Sequence, residues 1–256
     1  MNEETILYQL ANGIATITLN RPQAYNAFDR RMHIDLARRL DEAERDPAAR
    51  CLVITGAGKA FCSGQDLKDL APDQDLGALV RERYNPLILG LQSLAKPIVA
   101  AVNGVAAGAG MSLALACDFR VAVESARFVA AFANIGLVPD SGMSYLLPRL
   151  IGYGRALELC MLGGTLDAAT AHSYGMLTTV ASADEFPGVV QRLAERLANG
   201  PTSALGLMKH AFELGQRAGL DQTLDYEAQA QQIACAGPEY AEGVAAFREK
   251  RSPKFR

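Results

Sequence analysis

No excess of charge of either sign marks this sequence: 25 Lys and Arg stand against 28 Asp and Glu, for a net charge of −3. The basic residues are scattered and balanced by acids, which argues against the electropositive stripe of a nucleic-acid surface. A clean apolar run of membrane-spanning length is also missing. The nearest approach, 97–117, is interrupted by Asn103 and by glycines at 104, 108 and 110, so a membrane span is not expected. The opening residues, MNEETILYQL, are acidic and lack the layout of a signal peptide, and a cytoplasmic location is expected. Cys51, Cys62, Cys117, Cys160 and Cys235 include no CxxC pair. An odd number of thiols with mostly apolar neighbours reads as buried and reduced, not as a disulfide framework or a zinc site. There is no repeat of fixed period and no low-complexity tract.

What is present is apolar mass. Half of the residues are hydrophobic, ample for the core of one large domain, with or without an appendage. Residues 5–10 and 13–19 are β-rich runs joined at Ala11-Asn12, a hairpin pattern. Asp29 is placed to cap a helix with the stripe Met32, Leu36, Leu40 and Ala43, ended by Pro47. His33 lies off that stripe and is expected on the solvated surface. The run CLVIT (51–55) reads as a buried strand, followed by a loop with glycines at 56, 58 and 64. Residues 71–76 are polar and expected to be mobile, and 79–94 have helical periodicity with Pro86 as a kink or restart. Helices are predicted over 143–150, 154–162, 167–174 and 186–197, with His172 on a helix surface. Gly200-Pro201 is the clearest boundary, and three amphipathic helices follow it, 202–215, 222–236 and 239–251. Strands alternating with helices and then helices alone predict an α/β core over 1–200 and a helical region over 201–256.

The most informative stretch runs from Pro97 to Met143. Residues 98–102 are an apolar strand bounded by Pro97 and Asn103-Gly104, and three glycines at 104, 108 and 110 lead into an uncharged helix over 111–117. A strand, a glycine turn and a helix start leave backbone N–H groups facing whatever sits there. No Gly-Lys-Ser/Thr follows, and Gly108-x-Gly110 lacks the third glycine of a dinucleotide fingerprint. Polarising a carbonyl oxygen remains open to such a turn. Farther on, Asp140 follows Pro139 and is the only acid between Glu124 and Glu158. A lone carboxylate among apolar neighbours is a candidate acid/base group with a raised pKa; capping a helix that begins near Ser141 is the plainer role.

Taken together, NRPQAYNAFD (20–29), GKAFCSGQDLKDL (58–70), KPIVAAVNGVAAGAGMSLALACD (96–118), FANIGLVPDSG (132–142) and EGVAAFREKRSPKF (242–255) resemble the crotonase superfamily of enoyl-CoA hydratases and isomerases. The match keeps their order along nearly the whole chain. Within it, GLVPDSG with a terminal FxxKRxPxF is most similar to the ring-1,2-epoxyphenylacetyl-CoA isomerases of phenylacetate breakdown. The resemblance implies an α/β fold: a spiral of ββα turns with two roughly perpendicular sheets and a C-terminal helical region that helps form trimers. It implies an acyl-CoA substrate whose thioester oxygen is held by the backbone N–H groups of Gln65 and Ala109, the latter in the Gly108 turn. CoA is expected against Gln65, Asp66, Leu67 and Lys68 and the loop from Arg21 to Ala24. No metal or redox cofactor is implied, CoA being part of the substrate. The partners implied are a homotrimer or dimer of trimers, with room for association with other acyl-CoA enzymes.

Departures from the family pattern bear on the reaction. The two glutamates of its hydratases correspond to Ser112 and Phe132 here, while Asp140 matches the place where several isomerases keep one acid. Hydration needs a base for water and an acid for the α-carbon, so the expected activity is isomerisation, with Asp140 removing a proton and returning it at another carbon. Alternatives are hydratase-like activity, a nucleophilic Asp140 as in the dehalogenase branch or a thioesterase-like hydrolase, and a non-catalytic CoA-binding scaffold. Residues 70–90, 130–145 and the C-terminal helices are expected to line the acyl pocket. The apolar walls include Phe132, Ile135, Leu137, Met143 and Tyr145, suited to an alicyclic or aromatic-derived acyl group.

Overall fold

Asn12 and Gly13 both have positive φ, 53° and 81°, the pairing that a two-residue hairpin turn requires. They join strand β1 (Ile6–Ala11) to β2 (Ile14–Leu19), so the turn sits one residue later than Ala11-Asn12. The reason is conformational: Ala11 keeps the extended backbone, and glycine takes the second left-handed position. The computed structural model describes residues 4–255; the first three residues of the acidic start lie outside them.

From there the chain runs through α1 (Arg30–Arg45), β3 (Cys51–Gly56), β4 (Ala60–Cys62), α2 (Leu76–Leu79) and α3 (Asn85–Ser93). Next come β5 (Ile98–Val102), β6 (Val105–Ala107), α4 (Ala109–Ala116), β7 (Phe119–Val123), β8 (Arg127–Val129), α5 (Met143–Ile151) and α6 (Tyr153–Met161). The remainder is β9 (Thr165–Asp167), α7 (Ala168–Ser173), β10 (Thr179–Ala181), α8 (Phe186–Ala198), α9 (Thr202–Gly215), α10 (Leu220–Cys235) and α11 (Pro238–Glu249). One sheet has the order β1-β2-β3-β5-β7-β10, and the other β4-β6-β8-β9. Each of β3-β4, β5-β6 and β7-β8 therefore gives one strand to each sheet before the chain enters a helix. That is the ββα spiral expected from the family resemblance.

The second sheet was not legible as strands, because its members are three residues long and too short to show a period. Polar side chains, one half-buried and one buried, fix where the chain passes from sheet to sheet. Asn103 accepts from the Gly56 N–H at 3.1 Å and donates to its carbonyl at 2.8 Å. Asn26, fully buried, donates to the carbonyls of Ala57 and Ala60. A Cβ on Gly56 would lie 2.1 Å from the Ala60 oxygen, so only glycine permits this passage.

Every residue of β5 and of α4 is buried, which an uncharged helix with no polar face allows. Helix α1 has Asp29 as its cap, accepting from Met32 N–H at 2.7 Å, and it buries the expected stripe. His33 is buried as well, contrary to expectation. Its ring stacks on Phe28, with centroids 4.7 Å apart, and meets Tyr84 edge-on at 4.3 Å. The aromatic partners come from outside α1, so the helix pattern alone could not place it; His172 is exposed as expected. Between α2 and α3 the chain makes a π-helical turn, Val80–Tyr84. It ends just before Pro86, which lacks an N–H and crowds the preceding turn; Pro86 thus marks a restart. Asp75 caps α2, accepting from Ala78 N–H.

Helix α9 is tied to the α/β layers. Lys209 donates to the Leu91 carbonyl at 2.7 Å and pairs with Asp118 at 3.2 Å, and Gly206 packs on the Ala95 carbonyl. Beyond it, α10 contains no buried residue. Among the described residues no helix is long and apolar enough to cross a membrane.

Candidate active site

The turn after β6 carries the first half of the site. Gly108 has φ 50° and ψ −125°, and the chain enters α4 at Ala109, two residues earlier than the predicted start at Met111. Gly108 is the helix cap, and its N–H donates back to Val129. A Cβ on Gly110 would fall 2.2 Å from the Cys62 oxygen, so the first turn of α4 presses against the end of β4. The second half is the loop after β4. Gly64, at φ 92°, abuts the Gly108 turn so closely that a Cβ would lie 3.3 Å from the Ala109 nitrogen. The Gln65 and Ala109 N–H groups donate to no other backbone group among the described residues. Two adjacent, unspent backbone donors, one at the positive end of a helix, suit an oxygen that gains negative charge.

A cavity of about 540 Å³ opens on these donors. Gln65, Leu67, Gly108, Ala109, Phe132 and Asp140 all line it, which brings together most of the residues expected at the site. Asp140 precedes two left-handed residues, Ser141 (φ 51°) and Gly142 (φ 79°). Gly142, not Asp140, is the cap of α5, and the Asp140 side chain makes no capping bond to that helix. Its carboxylate instead accepts from the Ser141 hydroxyl at 2.8 Å. Burial pushes the Asp140 pKa above the ordinary carboxylate value, against the opposing pull of that hydroxyl.

At the two places corresponding to the hydratase glutamates, the side chains do other work. Ser112 is fully buried, and its hydroxyl donates to the backbone carbonyls of Asp140, at 3.2 Å, and Gly108, at 3.4 Å. It braces the acid's backbone against the donor turn. Phe132 is buried, with the far end of its ring facing Gly108, and makes that wall apolar.

Arg21, Ala24, Asp66 and Lys68 do not line the cavity. The Arg21 guanidinium is committed within the protein, to Asp29 at 3.0 Å, Asp66 at 2.9 Å and the Ala27 carbonyl. This holds the Asp66 carboxyl below its usual pKa even though partial burial works the other way. Ala24 accepts from the Ser63 hydroxyl at 3.3 Å, and Lys68 is exposed. Of the expected apolar walls, Ile135 and Leu137 line the cavity. Met143 is instead packed in the core, and Tyr145 lies under the Arg149 guanidinium, 3.4 Å from its ring centroid. Among the described residues none beyond Asp140 lines this cavity, so within one chain the C-terminal helices do not form its wall.

Tyr84 was missed. It lines the cavity, and its hydroxyl donates to the Gln65 carboxamide at 2.7 Å. The spacing of Leu76, Val80 and Tyr84, four residues apart and all on the cavity wall, was the available signal. Among the described residues no three His, Cys, Asp or Glu side chains are grouped so as to hold a metal ion.

The enoyl-CoA hydratase/isomerase family pattern matches residues 9–256. The chain belongs to the enoyl-CoA hydratase/isomerase family. It is 47% identical to the 1,2-epoxyphenylacetyl-CoA isomerase of Escherichia coli (strain K12), over 98% of each chain. It is also 36% identical to the trans-2-decenoyl-[acyl-carrier-protein] isomerase of Streptococcus mutans, covering 100% of this chain and 99% of that one. A crystal structure of an enoyl-CoA hydratase from Polaromonas sp. JS666 superposes with a TM-score of 0.92 at 34% identity, over 98% and 99% of the two chains. Family membership makes the chain an enzyme of the acyl-CoA isomerase and hydratase class.

Proposed function

We propose that the protein is an acyl-CoA isomerase that moves a proton through an enolate and does not hydrate. The observation that carries this reading is a single carboxyl, Asp140, in the donor-lined cavity, with Ser112 and Phe132 where a hydratase would carry acids. In this reading the thioester oxygen accepts from Gln65 N–H and Ala109 N–H. Asp140 takes a proton from a carbon of the acyl group, and the electron pair moves into the carbonyl to give the enolate. The same carboxyl then returns a proton at another carbon, shifting a double bond or opening a strained ring. Each oxyanion donor typically contributes about 2.7–4 kcal/mol to transition-state stabilisation. Burial supports the acid/base role, since a carboxylate with a raised pKa is the stronger base at neutral pH.

A ring-1,2-epoxyphenylacetyl-CoA substrate is favoured by the E. coli relative and by the apolar walls of Phe132, Ile135 and Leu137; a straight-chain enoyl-CoA is the next choice. CoA lies along the loop that Arg21 straps down through Asp66, and no cofactor besides the substrate's own CoA takes part. The test is a panel of acyl-CoA esters followed for isomerisation and for hydration. Isomerisation is expected to exceed formation of 3-hydroxyacyl-CoA by about 10²-fold or more, the lower end of what a general base supplies. Steady hydration of crotonyl-CoA at a rate comparable to isomerisation would refute the reading.

A further inference from the structure

The loop that carries the Gln65 N–H is held from two sides. Phe28 secures its backbone: the Phe28 N–H donates to Gly64 at 2.7 Å, and its carbonyl accepts from Asp66 N–H at 2.8 Å. The Gln65 N–H shares a peptide with the Gly64 carbonyl that Phe28 holds, next to a glycine at φ 92° whose missing Cβ removes one limit on rotation of that peptide about the bond. The Gln65 carboxamide supplies a second restraint. Its oxygen accepts from the Tyr84 hydroxyl at 2.7 Å, and its nitrogen donates to the Asp66 carbonyl at 3.1 Å. Tyr84 is itself fixed. It ends the π-helical turn, is buried, and stands edge-on to both Phe28 and His33. Burial raises its pKa, so the phenol stays protonated and able to donate.

We propose that Tyr84 is a positioning residue: through the Gln65 carboxamide, its hydroxyl sets the direction of the Gln65 N–H toward the thioester oxygen. The proposal rests on the reading of that N–H as an oxyanion donor. The physical link is that hydrogen bonds weaken steeply as donor angle and distance depart from ideal, and oxyanion stabilisation depends on donors fixed before the charge develops. A side chain anchored at both ends limits how far its own peptide plane can rock.

The test uses two variants that remove the same hydrogen bond from opposite ends. Tyr84→Phe keeps the ring, and Gln65→Met keeps the backbone N–H and side-chain length. Each is expected to lower kcat about tenfold, about the worth of one hydrogen bond, with KM changed by less than about twofold. The double variant should be no worse than Gln65→Met alone, because that change already removes the bond that Tyr84→Phe deletes. A second readout is the red shift in absorption of bound cinnamoyl-CoA, which reports polarisation of its carbonyl. It should shrink in both variants and persist in Asp140→Asn. Full kcat and full red shift in Tyr84→Phe would overturn the proposal, as would a lower kcat with the shift intact. A wild-type protein that binds cinnamoyl-CoA without any red shift would instead refute the oxyanion reading itself. Should Tyr84→Phe fail to fold, Gln65→Met decides by the same two readouts.

Discussion

Replacing Asp140 with Asn separates the chemistry of this site from its architecture. The amide keeps the size of the carboxylate and an oxygen able to accept from Ser141 Oγ, the one side-chain bond the group makes. The backbone carbonyl that Ser112 contacts is untouched. Binding of acyl-CoA should therefore survive. What goes is the proton acceptor, and general acid–base assistance is worth about 10²–10⁴-fold, or about 3–5 kcal/mol of barrier. Stability should move the other way. The folded-state pKa of Asp140 is raised by burial, so its favourable contribution is full only below the unfolded carboxylate pKa and is lost as pH rises through the folded value. At neutral pH the ionised group opposes folding, and Asp140→Asn should melt above wild type. That gain should vanish at pH values below the ordinary carboxylate range. In wild type the acid limb of kcat/KM should lie above that range, since the base must be ionised to act. The measurements are steady-state kinetics, equilibrium acyl-CoA binding and melting curves across pH. An Asp140→Asn enzyme that keeps most of its kcat, or that melts below wild type at neutral pH, would refute the reasoning.

Two further outcomes follow from the same structure. His33 is held neutral by burial, with the Arg83 charge adding to the effect, and its pKa falls from 6.5 to about 4. A depressed folded pKa means its contribution is present above pH 6.5 and lost on acidification toward pH 4, amounting to about 3 kcal/mol. His33→Phe, lacking the titration, should show a shallower loss of urea stability between pH 7 and 4, and parallel pH profiles would count against this. From α9 onward the chain exposes Phe212, Leu220, Ile233 and Phe247, with Phe247 85% accessible. We propose that the helical region 201–256 buries this face against other copies as a trimer or dimer of trimers, and a monomer by light scattering at micromolar concentration would contradict it.

Sequence alone determined whatever depends on neighbours along the chain. The apolar runs of β3 and β5, the cap of α1 at Asp29 and the three helices after Gly200 all follow from local period and turn chemistry. The glycine turns at 64 and 108–110 were legible because close backbone approach admits no Cβ, and Asp140 stood out as the only acid in a long apolar stretch. Tertiary structure decided what depends on partners far away in sequence. Strands β4, β6, β8 and β9 have only three residues each and exist because they pair with one another. Arg21 could be read as part of a loop beside CoA, but that Asp29 and Asp66, 8 and 45 residues away, hold its guanidinium shows only in the fold. His33 is off the apolar stripe of its own helix, yet Phe28 and Tyr84 enclose it. Tyr84 reaches Gln65 only because the π-helical turn and the loop after β4 face the same cavity. A helical period describes one face of one element; which other element covers that face is settled only when the chain has folded.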